Sequence, residues 1–153
     1  MKTKVRPNGH GGPGRRVCLA LQGTKKKGEA AELAFMLKAV SLGFGVAKPW
    51  GDSERYDFIL DTGTQLSRVQ VKSSSALHRG RYCVNANRHA NGNAIAYRIT
   101  EFDFLIAQIV PEDSWYVIPL KVILPRQSLW IYPEKDARAG RYGKYREAWD
   151  LIG

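Results

Sequence analysis

The stretch that decides the fold is Tyr56-Asp57-Phe58-Ile59-Leu60-Asp61, followed by Thr62-Gly63-Thr64-Gln65 and then Leu66-Ser67-Arg68-Val69-Gln70-Val71-Lys72-Ser73-Ser74. Two runs rich in β-branched and aliphatic residues, joined by a short polar link that contains a glycine, predict an antiparallel hairpin. Pairing centred between Gly63 and Thr64 sets Phe58 opposite Val69, Tyr56 opposite Val71 and Asp57 opposite Gln70. Directly paired residues share a face and alternate residues change face. One side of the ribbon is then apolar, and Asp57, Gln70 and Lys72 gather on the other. A slip of one residue would turn the apolar set outward, so this register is the one that buries it.

Upstream, the helical spacing of Leu33, Leu37 and Val40, with frequent Ala, predicts a helix from Gly28 to Leu42, closed by Gly43. Glu29 and Glu32 then fall in or near the first turn, where carboxylates suit the positive end of the helix dipole. A strand is expected from Phe44 to Lys48, stopped by Pro49. Downstream, Tyr82 to Asn87 reads as a strand, while Arg88 to Arg98 is a polar connection with no assignment. Phe102 to Val110 and Ser114 to Ile118 form a second hairpin turned by Pro111, Glu112 and Asp113. Leu129 to Tyr132 is a short strand, and Tyr142 to Ile152 has helical spacing. A helix leading into hairpins predicts an α/β (α+β) domain with a central mixed sheet flanked by helices. The expected organisation is a flexible basic arm at residues 1–16 and one folded domain at residues 17–153, because the Pro, Gly, Lys and Arg of the arm bury no core.

The chain has 153 residues, 44% of them hydrophobic, with 24 Lys and Arg against 14 Asp and Glu, a formal net charge of +10. Excess basic charge favours a polyanionic partner, because Lys and Arg contacts to phosphate release counterions. A ribosomal structural protein, a protein resting on anionic lipid, or a surface charged for solubility would show the same balance. No apolar run has the roughly 20 residues of a membrane span, and the first residues carry Lys, Arg and Gly where a signal peptide would be apolar. A cytoplasmic protein with no membrane partner is expected. Cys18 and Cys83 have no CxxC spacing and read as buried small hydrophobes. His10, His78 and His89 are far apart and read as surface residues.

A carboxylate, an amide and an amine on one side of a ribbon are the groups that metal-assisted phosphodiester hydrolysis uses. A hard cation takes oxygen ligands and neutralises charge on phosphate, and an ammonium group orients or deprotonates the attacking water. Tyr56-Asp57 and Gln70-Val71-Lys72, with Lys27-Gly28-Glu29-Ala30-Ala31-Glu32 ahead of them, resemble the PD-(D/E)XK nuclease superfamily. Among its members the group I intron-associated homing endonucleases are most similar, and they share the fold of Holliday-junction resolvases. The run Trp115-Tyr116-Val117-Ile118-Pro119 is also similar to an element of that group.

The resemblance implies a restriction-endonuclease-like core with Glu32, Asp57, Gln70 and Lys72 as catalytic residues. It further implies Mg²⁺, or Mn²⁺ as a substitute, held by Asp57, Gln70, Glu32 and the backbone carbonyl of Val71. Tyr56 stands where the superfamily name has Pro, and Gln70 stands where it has an acid, so two carboxylates rather than three face the cation. The implied activity is a metal-dependent endonuclease of double-stranded or branched DNA, homing-like or restriction-like. A Holliday-junction resolvase and a catalytically silent nucleic-acid-binding domain are the alternatives. Phosphate contacts are expected from Lys25, Lys26, Lys27, Arg79, Arg81 and Arg88, with Arg138, Arg141, Lys144 and Arg146 as further basic candidates and Tyr142 and Tyr145 as stacking partners. A homo-oligomer, dimer or tetramer, is expected because one small site cuts one strand.

Overall fold

The computed structural model describes residues 23–133 and 140–153; the basic arm, Cys18, His10 and Arg138 lie outside them. The polypeptide runs α1 (Thr24–Ser41), β1 (Gly45–Ala47), β2 (Phe58–Asp61), β3 (Leu66–Ser74), β4 (Leu77–His78), β5 (Arg81–Asn85), β6 (Asn87–Ala90), β7 (Asn93–Ala96), β8 (Phe104–Ile109), β9 (Ser114–Pro119), α2 (Leu120–Ile123) and β10 (Ser128–Ile131). The order β1-β2-β3-β8-β9 makes a central sheet that is antiparallel except at β3 and β8, which run parallel. A parallel neighbour needs a long crossover. Here β4 to β7 supply it, and β4 and β5 join β10 in a second sheet.

The central sheet is covered on both faces, which is why β8 and β9 are nearly continuous apolar runs. On one face Phe58, Leu60, Val69, Val71, Ile106, Trp115 and Val117 pack with Ala31, Phe35 and Ala39 of α1. On the other, Leu105, Ala107, Ile109, Tyr116 and Ile118 pack with Tyr82 and Val84 of β5 and Leu129 and Ile131 of β10. The result is three layers: helix, mixed sheet, small sheet. No helix among the described residues is long and apolar enough to cross a membrane.

The hairpin register is the expected one, with Phe58 paired to Val69 and Asp61 to Leu66, and Gly63 takes the positive φ of 84° that the link requires. Four other expectations are corrected. First, α1 begins a turn before Gly28, and its buried residues are Ala31, Phe35 and Ala39. Leu33, Leu37 and Val40 are 63%, 74% and 61% exposed on another face; small Ala side chains and one Phe let the helix sit close to the sheet. Second, Tyr56 precedes β2 and packs in the other cluster from Val71.

Third, Tyr142 to Ile152 is no helix. Two 3-10 turns, Gly143–Tyr145 and Trp149–Leu151, flank an extended Arg146 bridged to Tyr116, and Glu147 has φ 50°. Glu147 locks this geometry by accepting the Trp115 backbone N–H and the Trp149 indole N–H, both at 2.8 Å, while Lys38 Nζ lies 3.1 Å away. Burial pushes its carboxyl up, but these donors outweigh it and hold the group below its ordinary value. Fourth, Cys83 is only half-buried.

Candidate active site

The site lies where α1, the end of β1 and the β2–β3 ribbon meet. Asp57 sits one residue before β2, and its N–H extends the ladder by donating to Val69 O at 2.8 Å. Its side chain turns toward β3, where Oδ2 accepts the Val71 N–H and the Gln70 Nε2–H, each at 2.7 Å. The strand ladder ends at Phe58–Val69, and Asp57 and Gln70, set opposite each other in the sequence reading, meet through a side-chain hydrogen bond. Residues of an extended strand direct N–H and C=O to the same edge, so the Val71 carbonyl faces the Asp57 side, beyond the last β2 pair. Gln70 and Lys72 are half-buried on the face they share with Leu105 and Ala107, their partners on β8.

Burial pushes the Asp57 carboxyl above its ordinary value, and the nearby Glu32 charge adds to this. The Val71 N–H, Lys72 and the Gln70 amide pull the other way without cancelling it. Two carboxylates facing each other in a partly dry place want a cation between them. Lys48, directly after β1, supplies one: its Nζ lies 2.5 Å from Glu32 Oε2 and 5.5 Å from the centre of the Phe58 ring. The Glu32 bond, aided by the charges of Asp57 and Glu29, raises the Lys48 ammonium above its ordinary value against the opposing effect of burial.

Lys48 is the residue that the sequence reading missed. The only signal was its place at the end of a strand beside an acid-bearing helix.

The donors present suit a hard divalent ion: two carboxylates, an amide oxygen and a strand carbonyl. Among the described residues no three His, Cys, Asp or Glu side chains gather, as follows from an amide at position 70. The amide nitrogen of Gln70 faces Asp57, so its oxygen reaches a shared cation only after the amide turns over.

Of the expected phosphate contacts, Lys25, Lys26 and Lys27 are exposed in the first turn of α1 and Arg79 is exposed in the β4–β5 turn. Arg81 stacks over Trp130 at 3.9 Å and donates to the Tyr132 hydroxyl at 3.2 Å. Arg88 is enclosed, its side chain 16% exposed and its Nε 3.0 Å from Glu101 Oε1, which takes it out of the free cations. Arg141, Lys144 and Arg146 are exposed, but Tyr142 and Tyr145 are buried in the core and cannot stack on a base. His78 and His89 are exposed, as surface residues should be.

The structure of a bacterial homing endonuclease, I-Ssp6803I, is 36% identical to this chain, covers 84% of it and 92% of its own length, and superposes with a TM-score of 0.74. A Holliday-junction resolvase from Archaeoglobus fulgidus, Hjc, is 16% identical over 70% of this chain and 88% of its own, with a TM-score of 0.45. No curated protein sequence matches significantly. The family pattern described as PD-(D/E)XK endonuclease matches residues 22–152. With the helix, the ribbon and the Asp57–Gln70–Lys72 face all inside that match, the chain belongs to the PD-(D/E)XK endonuclease family.

Proposed function

We propose that the protein is a Mg²⁺-dependent endodeoxyribonuclease, homing-like or restriction-like in setting, with Glu32, Asp57, Gln70 and Lys72 as its catalytic residues. The observation that carries this reading is the geometry at one end of the ribbon. Asp57 is bonded to Gln70 and to the Val71 N–H, Lys72 shares the Gln70 face, and Glu32 lies close enough to perturb Asp57. An acidic pair in a chain of net charge +10 repels a polyanion unless a cation stands between them.

Asp57, Glu32, the Gln70 carbonyl oxygen and the Val71 carbonyl would hold Mg²⁺, or Mn²⁺ in its place. When bound, the ion supplies charge neutralisation at the scissile phosphate and a lowered pKa for a water ligand. The chain's own groups do the rest. The Val71 N–H holds Asp57 Oδ2 whether or not the Gln70 amide turns its oxygen to the cation, so the strand backbone sets the carboxylate's orientation before substrate arrives. Lys72 orients the attacking water and stabilises the negative charge that grows on the phosphoryl oxygens as one P–O bond forms and the other breaks. The exposed Lys25, Lys26, Lys27 and Arg79 hold the backbone on either side.

A homo-oligomer belongs to the same proposal. The exposed row Leu33, Leu37 and Val40 on α1 offers a second copy an apolar face. A duplex cut needs two sites, which a two-fold axis provides. A monomer by sedimentation velocity would overturn this part.

The deciding experiment incubates the full chain with supercoiled plasmid and with a four-way junction, each with and without Mg²⁺. Mg²⁺-dependent nicking or linearisation of plasmid is expected. Cleavage of the junction alone would replace the reading with a resolvase, and binding without cleavage of either would make the domain a silent binder.

A further inference from the structure

The polar segment that sequence patterning leaves unassigned is a ribbon. β6 pairs with β7 in the register Asn87 to Ala96, Arg88 to Ile95, His89 to Ala94 and Ala90 to Asn93. The pair forms a sheet of its own, hydrogen-bonded as a ladder to neither larger sheet. Asn91 and Gly92 close it with φ of 52° and 78°, the two positive values of a type I′ turn, which suits the twist of a tight hairpin.

The ribbon is held at its root and bare at its tip. At the root, the half-buried Asn87 donates to Gln127 O at 3.1 Å, and Arg88 lies 3.0 Å from Glu101 with its side chain only 16% exposed. Tyr97, directly after β7, is buried with its ring 4.7 Å from that of Phe102. Toward the tip, His89, Asn91, Gly92, Asn93 and Ala94 are all exposed.

The strand that leads into the ribbon, β5, packs against β3, which carries Gln70 and Lys72. Tyr82 and Val84 of β5 pack in one cluster with Leu105 and Ala107, the β8 partners of Gln70 and Lys72.

The chemistry of the tip is selective. In a protein with net charge +10, the ten residues from Asn87 to Ala96 contain no acid, and their single guanidinium is matched by Glu101. Phosphate contacts fix position and need free cations, whereas base edges are read by neutral donors and acceptors. Asn is the side chain whose amide pairs bidentately with adenine in the major groove. The projecting part, from His89 to the Asn91–Gly92 turn, spans about three residues at about 3.4 Å each, a reach of roughly 10 Å, more than the depth of about 8.5 Å of a groove that admits a two-stranded ribbon. The tip also lacks the apolar side chains that a protein partner would bury, since Ile95 is half-buried at the root and the exposed set is polar or Ala.

We propose that the β6–β7 ribbon is the sequence-reading element of this protein, entering the major groove of duplex DNA beside the cleavage site with His89, Asn91 and Asn93 against base edges. The inference rests on the DNA-cleaving reading above and adds to it where specificity resides.

The test uses the full chain carrying Lys72→Ala, so that bound DNA is not consumed, and duplexes with a randomised central segment. Sequences retained by this protein are compared with those retained by the same protein carrying His89→Ala and Asn93→Ala, with Asn91→Gly as a third change that keeps the positive-φ turn. The expected result is a selected consensus that goes blank at one contiguous block of base pairs and persists elsewhere. Affinity for the originally selected sequence falls about 10- to 100-fold, while affinity for random duplex and its salt slope stay unchanged.

An unchanged consensus overturns the proposal. So does an equal loss on all sequences with a shallower salt slope, which would make the ribbon a backbone clamp, or a change of oligomeric state, which would make it a strand-pairing edge. If the unsubstituted protein nicks plasmid but the Lys72→Ala protein selects no consensus, the ribbon alone is overturned. A parent that neither cuts nor binds DNA overturns the function on which it rests.

Discussion

The molecule contains two antiparallel ribbons built on opposite principles. The β2–β3 ribbon lies inside the central sheet, flanked by β1 and β8, and its Phe58 and Val69 are fully buried against α1. The β6–β7 ribbon has no neighbouring strand among the described residues, and its outer residues are exposed. In the first, register is enforced by burial, since a one-residue slip would turn Phe58 and Val69 to the wrong side. In the second, register is fixed by the turn, Asn91 and Gly92 at positive φ, and by anchors at the root, where Asn87 bonds Gln127 O and Arg88 pairs with Glu101. The embedded ribbon can therefore hold a carboxylate 2.7 Å from an amide, whereas the free one is suited to present donors and acceptors to something outside the protein.

The largest effect that separates them is catalytic. Lys72→Ala is expected to lower Mg²⁺-dependent plasmid cleavage by at least about 10³-fold, roughly 4 kcal/mol of transition-state stabilisation, with DNA binding and melting temperature nearly unchanged. The ribbon variants should do the reverse, losing selectivity while the cleavage step survives. Binding lost in parallel with cleavage would remove Lys72 from the chemistry and erase the distinction.

Stability should separate the two ribbons as well. Phe58→Ala removes a fully buried ring that lies 5.1 Å from Phe35, and denaturant unfolding should show a loss of about 3–5 kcal/mol. Ile95→Ala trims a half-buried side chain at the root of the free ribbon and should cost under about 1 kcal/mol. Equal losses would mean that β6–β7 is as deeply integrated as β2–β3.

The same contrast explains what was legible beforehand. The β2–β3 register follows from alternation and the apolar runs of β8 and β9 from burial on both faces of the sheet, because the core dictates those residues. On α1 the apolar period was real but belonged to the exposed row of Leu33, Leu37 and Val40, while the sheet selected Ala31, Phe35 and Ala39. Periodicity reveals that a helix has an apolar stripe and leaves open which stripe packs inward when two exist. The spacing of Tyr142, Tyr145 and Trp149 imitates a helix, but the bonds to Glu147 that break it depend on Trp115, far away in the chain. Asn-Gly is a dipeptide that favours a tight hairpin turn, but without flanking apolar alternation Arg88 to Arg98 carries no assignment from sequence.

Within the catalytic ribbon, Gln70→Glu is a finer probe. The Gln70 amide now donates to Asp57 at 2.7 Å. A carboxylate there loses that bond and sets two like charges together, which should cost the metal-free protein about 2 kcal/mol, or roughly 4–8 °C in melting temperature. Added Mn²⁺ should restore that loss and bind more tightly than in the parent, with cleavage equal or lower because the extra charge also repels the phosphate. A variant as stable as the parent without metal, with unchanged Mn²⁺ affinity, would place the amide outside the coordination shell.

The smallest expected change is at Lys48, and it tests whether the acidic end of this ribbon is built around a cation. The ammonium lies 2.5 Å from Glu32 Oε2 and feels Asp57 and Glu29 as well, so in the metal-free protein it already offsets part of the charge that a divalent ion would neutralise. Lys48→Met keeps an unbranched apolar stem while removing that charge and the Nζ contact over the Phe58 ring. Because the side chain is 55% exposed, its interaction with the site is screened almost as in water, about 1 kcal/mol for unit charges 4 Å apart. Mn²⁺ affinity measured by calorimetry should therefore rise by roughly 5-fold. The rise should persist in the Lys72→Ala background, where no cleavage can confuse the reading. If Mn²⁺ binds Lys48→Met more weakly instead, Lys48 is holding Glu32 in a ligating position rather than competing for it, and Glu32 depends on β1 for its placement.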